Sequence, residues 1–116
     1  MDPLSVIDLP TFLELKEAMG SDYIAEMVDT YCQDASQLMS ELVQAQQYGD
    51  APAFTRLAHS IKSTSLTFGA LAFGALAREL EMLGREARLG ETLEKVQQLQ
   101  AACGPLHATL KELCHE

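Results

Sequence analysis

The chain has 116 residues, 47% of them apolar, and a formal net charge of −9. This length predicts one domain over residues 1–116, and the apolar content excludes a disordered chain. The acidity argues against nucleic acid or anionic membranes as partners, and no stretch approaches the roughly 20 apolar residues of a membrane span.

Helical periodicity runs through nearly the whole sequence and predicts an all-α fold. A short first helix is predicted between Asp8, as its N-cap, and Gly20, with Pro10 in its first turn. A long second helix follows and ends at Gly49, because apolar residues recur there at steps of three and four.

The third helix is predicted to begin near Pro52, with Asp50 as its N-cap, and to end at Gly69. The fourth is predicted over 70–89. Gly74 lies inside it at a cost of roughly 1 kcal/mol relative to Ala, which indicates a close helix contact. The apolar positions of these two helices are Phe54, Leu57, Ala58, Ile61, Ser65 and Phe68, then Phe73, Leu76, Leu80, Leu83 and Ala87.

The last helix is predicted to start near Glu91, and its apolar stripe stays in phase across Pro105, which favours a kink over a break. Four long amphipathic helices with short connections predict an up-down-up-down four-helix bundle, with the short first helix across one end. The stripe of the last helix is Leu93, Val96, Leu99, Cys103, Leu106, Leu110 and Leu113.

The third helix carries a histidine on its polar side. At about 100° per residue, His59 falls roughly 150° from the centre of the apolar stripe, so we predict that it faces solvent. This segment is also the basic part of an acidic chain, since 51–90 holds five basic and three acidic residues. An isolated exposed histidine is usually only solvated, so its neighbours matter. The same geometry predicts five residues around it on this exposed face: Thr55, Arg56, Lys62, Ser63 and Leu66.

The residues around this histidine form a recognisable pattern. They read Ala58-His59-Ser60-Ile61-Lys62-Ser63, then Gly69-Ala70, then Leu80-Glu81. This resembles the histidine-containing phosphotransfer (HPt) domains, the four-helix relay modules of two-component phosphorelays, whose pattern is roughly Ala-His-x-Leu-Lys-Gly, Gly-Ala and Leu-Glu. Ser63 stands where Gly is commonest in the family, but it keeps a small side chain at that position.

The resemblance implies a phosphorelay intermediate and not an enzyme. His59 would accept a phosphoryl group from a receiver-domain aspartate or a kinase and pass it to another receiver aspartate. Lys62, one turn along, can offset the charge of the phosphate. The partners implied are response-regulator receiver domains and a hybrid sensor histidine kinase. They would dock over Thr55, Arg56, Ser63 and Leu66, with Mg²⁺ supplied by the receiver and no cofactor held by this chain.

Two other functions stay open. A helical interaction module without phosphoryl chemistry would not explain His59, Lys62 and a small residue at 63 together. A metal-carrying bundle enzyme lacks H-E-x-x-H and paired E-x-x-H motifs, and His107 and His115 have no ligands around them in sequence. The absence of a Gly-rich phosphate loop predicts no nucleotide binding.

The three cysteines are odd in number and include no C-x-x-C pair, which is typical of reduced thiols. The first ten residues contain no Lys or Arg, unlike a secretory signal. We therefore predict a cytoplasmic monomer, and the Met1 start favours a free-standing protein over a segment of a larger kinase. The cysteines are Cys32, Cys103 and Cys114.

Overall fold

The computed structural model describes residues 3–115, so Met1, Asp2 and Glu116 lie outside the described residues. Over this range the chain is helical, with short 3₁₀ turns at Pro3–Ser5 and Leu89–Glu91, and the predicted all-α fold is confirmed. The five α-helices are α1 (Leu9–Met19), α2 (Ser21–Tyr48), α3 (Ala51–Thr67), α4 (Leu71–Arg85) and α5 (Leu93–Cys114).

The predicted helix starts at α1 and α3 are confirmed by their caps. The Asp8 carboxylate accepts a hydrogen bond from the Thr11 backbone N–H, and Asp50 accepts one from the Ala53 N–H at 3.2 Å. Each bond satisfies a backbone donor that has no partner inside the helix. α2 ends at Gly49, where φ is +71°, a conformation that glycine adopts without steric cost.

One hydrophobic core joins the long helices. α3 packs against α2 and α4, α5 packs against α2 and α4, and α1 lies on α2. Burying each large apolar side chain contributes roughly 1.5–3 kcal/mol, so these residues supply most of the driving force for folding. The largest fully buried apolar side chains are Phe12, Phe54, Phe73, Ile24, Leu42, Ile61, Leu80, Leu99, Leu106, Leu110 and Val28.

The end of α4 differs from the prediction. The helix stops at Arg85, and Ala87 is exposed with φ of +54°, so its predicted inward position is wrong. The Arg88 N–H donates to the Leu83 carbonyl and the Ala87 N–H to that of Gly84, which is the hydrogen-bond pattern of a Schellman cap. An alanine takes the left-handed position where sequence reasoning expects glycine.

The last helix begins later than predicted but continues as expected. α5 starts at Leu93 and not at Glu91, and Leu93 is 53% exposed, so its predicted place in the apolar stripe is wrong. The helix runs unbroken through Pro105 to Cys114, as the in-phase stripe predicted.

Glycines let α3 and α4 approach each other closely. A Cβ on Gly74 would lie 2.6 Å from Leu66 Cδ2, which confirms the close contact predicted there. The sequence did not single out Gly84, where a Cβ would lie 2.5 Å from Thr55 Oγ1 and 3.0 Å from Phe54 Cδ1. These distances are shorter than van der Waals contact, so a side chain at 84 must displace Thr55 and Phe54 or the helices that carry them.

We expect Gly84→Ala to lower the free energy of unfolding by up to about 2 kcal/mol. Overpacking costs roughly 1–3 kcal/mol, and the better helix propensity of alanine offsets about 1 kcal/mol of it. Gly90→Ala is the control, because Gly90 lies in the 3₁₀ turn at Leu89–Glu91, and a Cβ added there meets no atom within 4 Å beyond its chain neighbours. Urea unfolding should show the control about as stable as wild type. A Gly84→Ala protein that gains the full helix propensity of alanine, about 1 kcal/mol, would contradict the close approach.

Candidate functional site

The histidine singled out by the sequence lies on α3 at the seam with α4. The His59 side chain is 53% exposed, as predicted, yet its Nδ1 lies 3.0 Å from Glu81 Oε2 on α4. The Glu81 side chain is only 4% exposed. One edge of the imidazole is therefore fixed against a buried carboxylate, while about half of the side chain is open to solvent.

Three nitrogen-bearing side chains converge on the Glu81 carboxylate. Besides His59, Lys62 Nζ lies 2.8 Å from Oε1, at ion-pair distance but without the direction of a hydrogen bond. Arg85 Nη2 donates to Oε2 at 2.7 Å from the next turn of α4. The Lys62 side chain is only 21% exposed, so the predicted exposure of this lysine is wrong. Its side chain reaches Glu81 across the seam.

The charge state of Glu81 follows from two opposing influences. Burial is the largest single influence and opposes ionisation, but the contacts with Lys62 and His59 together outweigh it. The pKa of the Glu81 carboxyl therefore lies below its usual value. Glu81 is ionised near neutral pH and is compensated by Lys62 and Arg85.

An ionised carboxylate can only accept hydrogen bonds. The neutral His59 ring must therefore carry its proton on Nδ1, facing Glu81, and we assign this tautomer from the hydrogen bond. The lone pair then resides on Nε2, the nitrogen on the far side of the ring from the carboxylate. The arrangement presents an unprotonated ring nitrogen in a fixed orientation on an accessible surface.

The other residues predicted on this face differ in accessibility. Arg56 and Ser63 are exposed. Thr55 is half-buried, since its hydroxyl donates to the Ala51 carbonyl and lies against α4. Leu66 is 39% exposed, and the branched end of its side chain packs over α4. Thr55 and Leu66 thus lie at the edge of the seam and are only partly available to a partner.

Sequence reasoning missed Glu81 and Arg85 as parts of the site. Glu81 appeared only as the end of a family pattern, yet a signal was present in α4. Small residues recur along one side of this helix, and Glu81 falls in the same row. A charged residue in such a row indicates a side chain that is turned toward the neighbouring helix α3. The buried residues of this row are Gly74, Ala77, Glu81 and Gly84.

The remaining histidines have different surroundings. His107 is half-buried, with its ring edge-on to Tyr31 at 5.6 Å between centroids, and its Nε2 is buried without a hydrogen-bond partner among the described residues. Burial lowers the pKa of His107 and keeps the ring neutral. His115 is exposed at the end of α5. Within residues 3–115, neither histidine forms an ion pair with a carboxylate.

Two other kinds of site are absent from the described residues. Between residues 3 and 115, no three His, Cys, Asp or Glu side chains are grouped so that they could hold a metal ion. Within that part of the chain, none of the helices combines the length and the apolar character needed to cross a bilayer.

The fold and the site define an all-α protein with an accessible histidine supported by a buried carboxylate, and comparison with known proteins gives its family. The profile of the Hpt domain matches residues 26–116, so the chain belongs to the Hpt domain family. It has a histidine phosphotransfer role in phosphorelays, as a carrier and not as a catalytic enzyme.

A solved structure supports the same assignment. The crystal structure of histidine-containing phosphotransfer protein B (HptB) from Pseudomonas aeruginosa PAO1 superimposes with a TM-score of 0.87. The two sequences are 27% identical, and the match covers 94% of each chain. No curated protein sequence matches the chain.

Proposed function

We propose that His59 is the phosphoryl acceptor and donor of this phosphotransfer protein. The observation that carries the proposal is the contact between His59 Nδ1 and the ionised Glu81. It holds the ring in one orientation and places the lone pair on the accessible nitrogen Nε2. The surroundings of His107 and His115 include no such carboxylate among the described residues.

The transfer step uses these atoms directly. His59 Nε2 attacks the phosphorus of a receiver's aspartyl phosphate, the bond between phosphorus and the aspartate oxygen breaks, and an N–P bond forms. The ring gains positive charge in this step, and Glu81 lies 3.0 Å from Nδ1, where a negative charge stabilises it. In the neutral ring with its proton on Nδ1, Nε2 carries the lone pair, so no proton has to leave it. The reverse reaction passes the phosphoryl group to another receiver aspartate.

Lys62 acts on this step through charge. It holds Glu81 ionised at 2.8 Å, and its ammonium group offsets the charge of the incoming phosphate from one helical turn beyond His59. The protein needs no nucleotide and no metal of its own for this chemistry, and the Mg²⁺ of the reaction belongs to the receiver.

The partners are receiver domains of response regulators and a hybrid sensor histidine kinase. The docking face is the exposed side of α3 with Arg56 and Ser63, flanked by Thr55 and Leu66 at the edge of the seam. Residues 1–116 form one monomeric, cytoplasmic domain. In it α2–α5 run up-down-up-down with α1 across one end, an arrangement supported by the cyclic packing of these four helices.

The direct test is to locate the phosphate. The protein is incubated with phosphorylated receiver domains, and peptide mass spectrometry under alkaline conditions locates the acid-labile phosphate. We expect modification of His59 and none of His107 or His115. A protein that binds receivers but takes no phosphate from any of them would favour the interaction module without phosphoryl chemistry.

Replacing Lys62 tests its contribution to transfer. We expect Lys62→Ala to slow phosphoryl transfer by about 10-fold, because a charge-assisted contact contributes roughly 1.5–3 kcal/mol and partial exposure weakens it. Lys62 is mostly buried against Glu81, so its loss should also lower the free energy of unfolding by about 1–2 kcal/mol. Lys62→Arg retains the cation and is the control. Equal transfer rates for wild type and Lys62→Ala, measured with one receiver, would contradict this role.

A further inference from the structure

A groove between α2 and α3 lies apart from the His59 site. Its volume is about 370 Å³, within the usual range of about 300–1,000 Å³ for sites that bind small molecules. Thr64 of α3 lines the groove, and His59 lies roughly 140° around the helix from Thr64, at 100° per residue. His59 contacts α4, whereas the groove is on the side of α3 that faces α2. The proposed phosphoryl transfer uses none of the residues that line this groove.

The lining of the groove is largely apolar and aromatic. The Tyr31 and Phe68 rings lie 5.0 Å apart between centroids and are almost fully buried, so they form its floor. Met27 also lines it and is half-buried. Tyr23 is 55% exposed and supplies a further aromatic ring on the open side. Such a lining takes the apolar part of a ligand, and the negative faces of aromatic rings attract a cation.

The charged side chains of the groove are acidic. The described residues that line it include Glu26 and Asp34, both exposed, and none of them is Lys, Arg or His. The sequence of α2 has no basic residue and five acidic ones, which are Asp22, Glu26, Asp29, Asp34 and Glu41. These carboxylates repel anions and attract cations to this side of the protein.

Two hydroxyl groups of the groove favour a ligand that donates hydrogen bonds. Thr64 Oγ1 donates to the Ser60 carbonyl at 2.9 Å, and Thr67 Oγ1 donates to the Ser63 carbonyl at 3.0 Å. Because each threonine proton is used in this way, the two oxygens can only accept a further bond. A protonated amine supplies N–H donors to such oxygens, whereas a carboxylate ligand brings only acceptors.

We propose that this groove binds a small organic cation, namely a protonated amine with an aryl or alkyl body. The apolar body lies on Tyr31 and Phe68, and the ammonium group lies toward Glu26 and Asp34 beside the Tyr23 ring. The aromatic floor selects an apolar body, the carboxylates select positive charge, and the threonine oxygens select N–H donors. A groove of about 370 Å³ accommodates one small molecule and not a folded segment of another protein.

The test is a titration of the ¹⁵N-labelled protein with three probes of similar shape, followed by the NMR signals of the backbone amides. The probes are 2-phenylethylamine, a cation at neutral pH, the neutral 2-phenylethanol and the anion phenylacetate. We expect 2-phenylethylamine to bind with a Kd on the order of 1 mM, as is usual for so small a ligand. It should bind about 10-fold more tightly than 2-phenylethanol, and phenylacetate should not bind. The shifted amides should cluster within 23–34 and 64–68.

Two double variants separate the carboxylates of the groove from the general acidity of α2. Glu26→Gln combined with Asp34→Asn should weaken binding of 2-phenylethylamine by about 3- to 10-fold and leave that of 2-phenylethanol unchanged. Asp29→Asn combined with Glu41→Gln is the matched control, because it removes the same charge from exposed positions of α2 that do not line the groove. Tyr23→Leu keeps an apolar side chain without the ring and should weaken binding of the cation by about 2- to 5-fold.

Several results would overturn the cation site. Equal affinities for 2-phenylethylamine and 2-phenylethanol would mean that the groove selects apolar surface and not charge. Amide shifts centred outside the groove, or an equal loss of binding in both double variants, would place the cation elsewhere. Absence of binding at concentrations of 2-phenylethylamine well above the expected Kd would show that the groove holds no such ligand. The titration uses protein without phosphate, so its outcome is independent of the proposed function of His59.

Discussion

His59→Gln is expected to abolish phosphorylation, with a loss of at least about 10³-fold relative to wild type. The amide nitrogen of glutamine is not nucleophilic, because its lone pair is delocalised into the carbonyl group. Glutamine still offers a donor for Glu81 and has a similar size, so helicity and thermal stability should change little. The measurement is acid-labile, base-stable phosphate after incubation with a phosphorylated receiver.

Two control variants make this result specific. His107→Gln and His115→Gln should label as wild type does, since neither histidine lies in the Glu81 cluster. Labelled phosphate that persists in His59→Gln would show that another residue accepts the phosphoryl group, and the assignment of the site would then be wrong.

Ser63→Trp is expected to block transfer from a receiver domain by about 100-fold or more. Ser63 is exposed on α3 and lies one turn beyond His59, so an indole there covers the approach to the imidazole. A phosphoryl donor that is misplaced by about 1 Å can already react about 10²-fold more slowly. The small donor phosphoramidate reaches the ring past the indole, so its labelling rate should fall by no more than about 3-fold.

Comparing a receiver domain with phosphoramidate as the phosphoryl donor distinguishes blocked access to His59 from damage to the site itself. Ser40→Trp is the control, because Ser40 is an exposed serine of α2 on the side that faces α5. Circular dichroism should show normal helicity for both variants. If Ser63→Trp accepts phosphate from a receiver at the wild-type rate, the docking face lies elsewhere on the protein.

The sequence predicted the helices well where local chemistry controls them. Asp8 and Asp50, each followed two residues later by proline, mark the starts of α1 and α3 because capping is a short-range interaction. The end of α4 was misplaced because the chain leaves the helix at Ala87, a residue that rarely takes a left-handed conformation. Such a turn depends on surrounding packing and not on local preference.

The site was predicted only in part, for a related reason. The angle of His59 on its helix follows from helical geometry alone, and its exposure is confirmed. The burial of Lys62 and the role of Glu81 depend on which turns of α3 and α4 face each other. The helical projection of a single helix does not show which turns of two helices face each other. The small residues of α4 indicate only the side on which α3 comes close.

The sharing of one carboxylate between two helices has a consequence for protein engineering. The proposed acceptor, His59, cannot be moved to another protein as a sequence motif alone, because its orientation comes from Glu81 on α4 and not from its neighbours in sequence. A designer who transplants the segment around His59 into another helical bundle must also supply a buried glutamate on the facing helix, cations to neutralise it, and residues as small as Gly74 and Gly84. A graft of α3 alone would present an ordinary solvated imidazole.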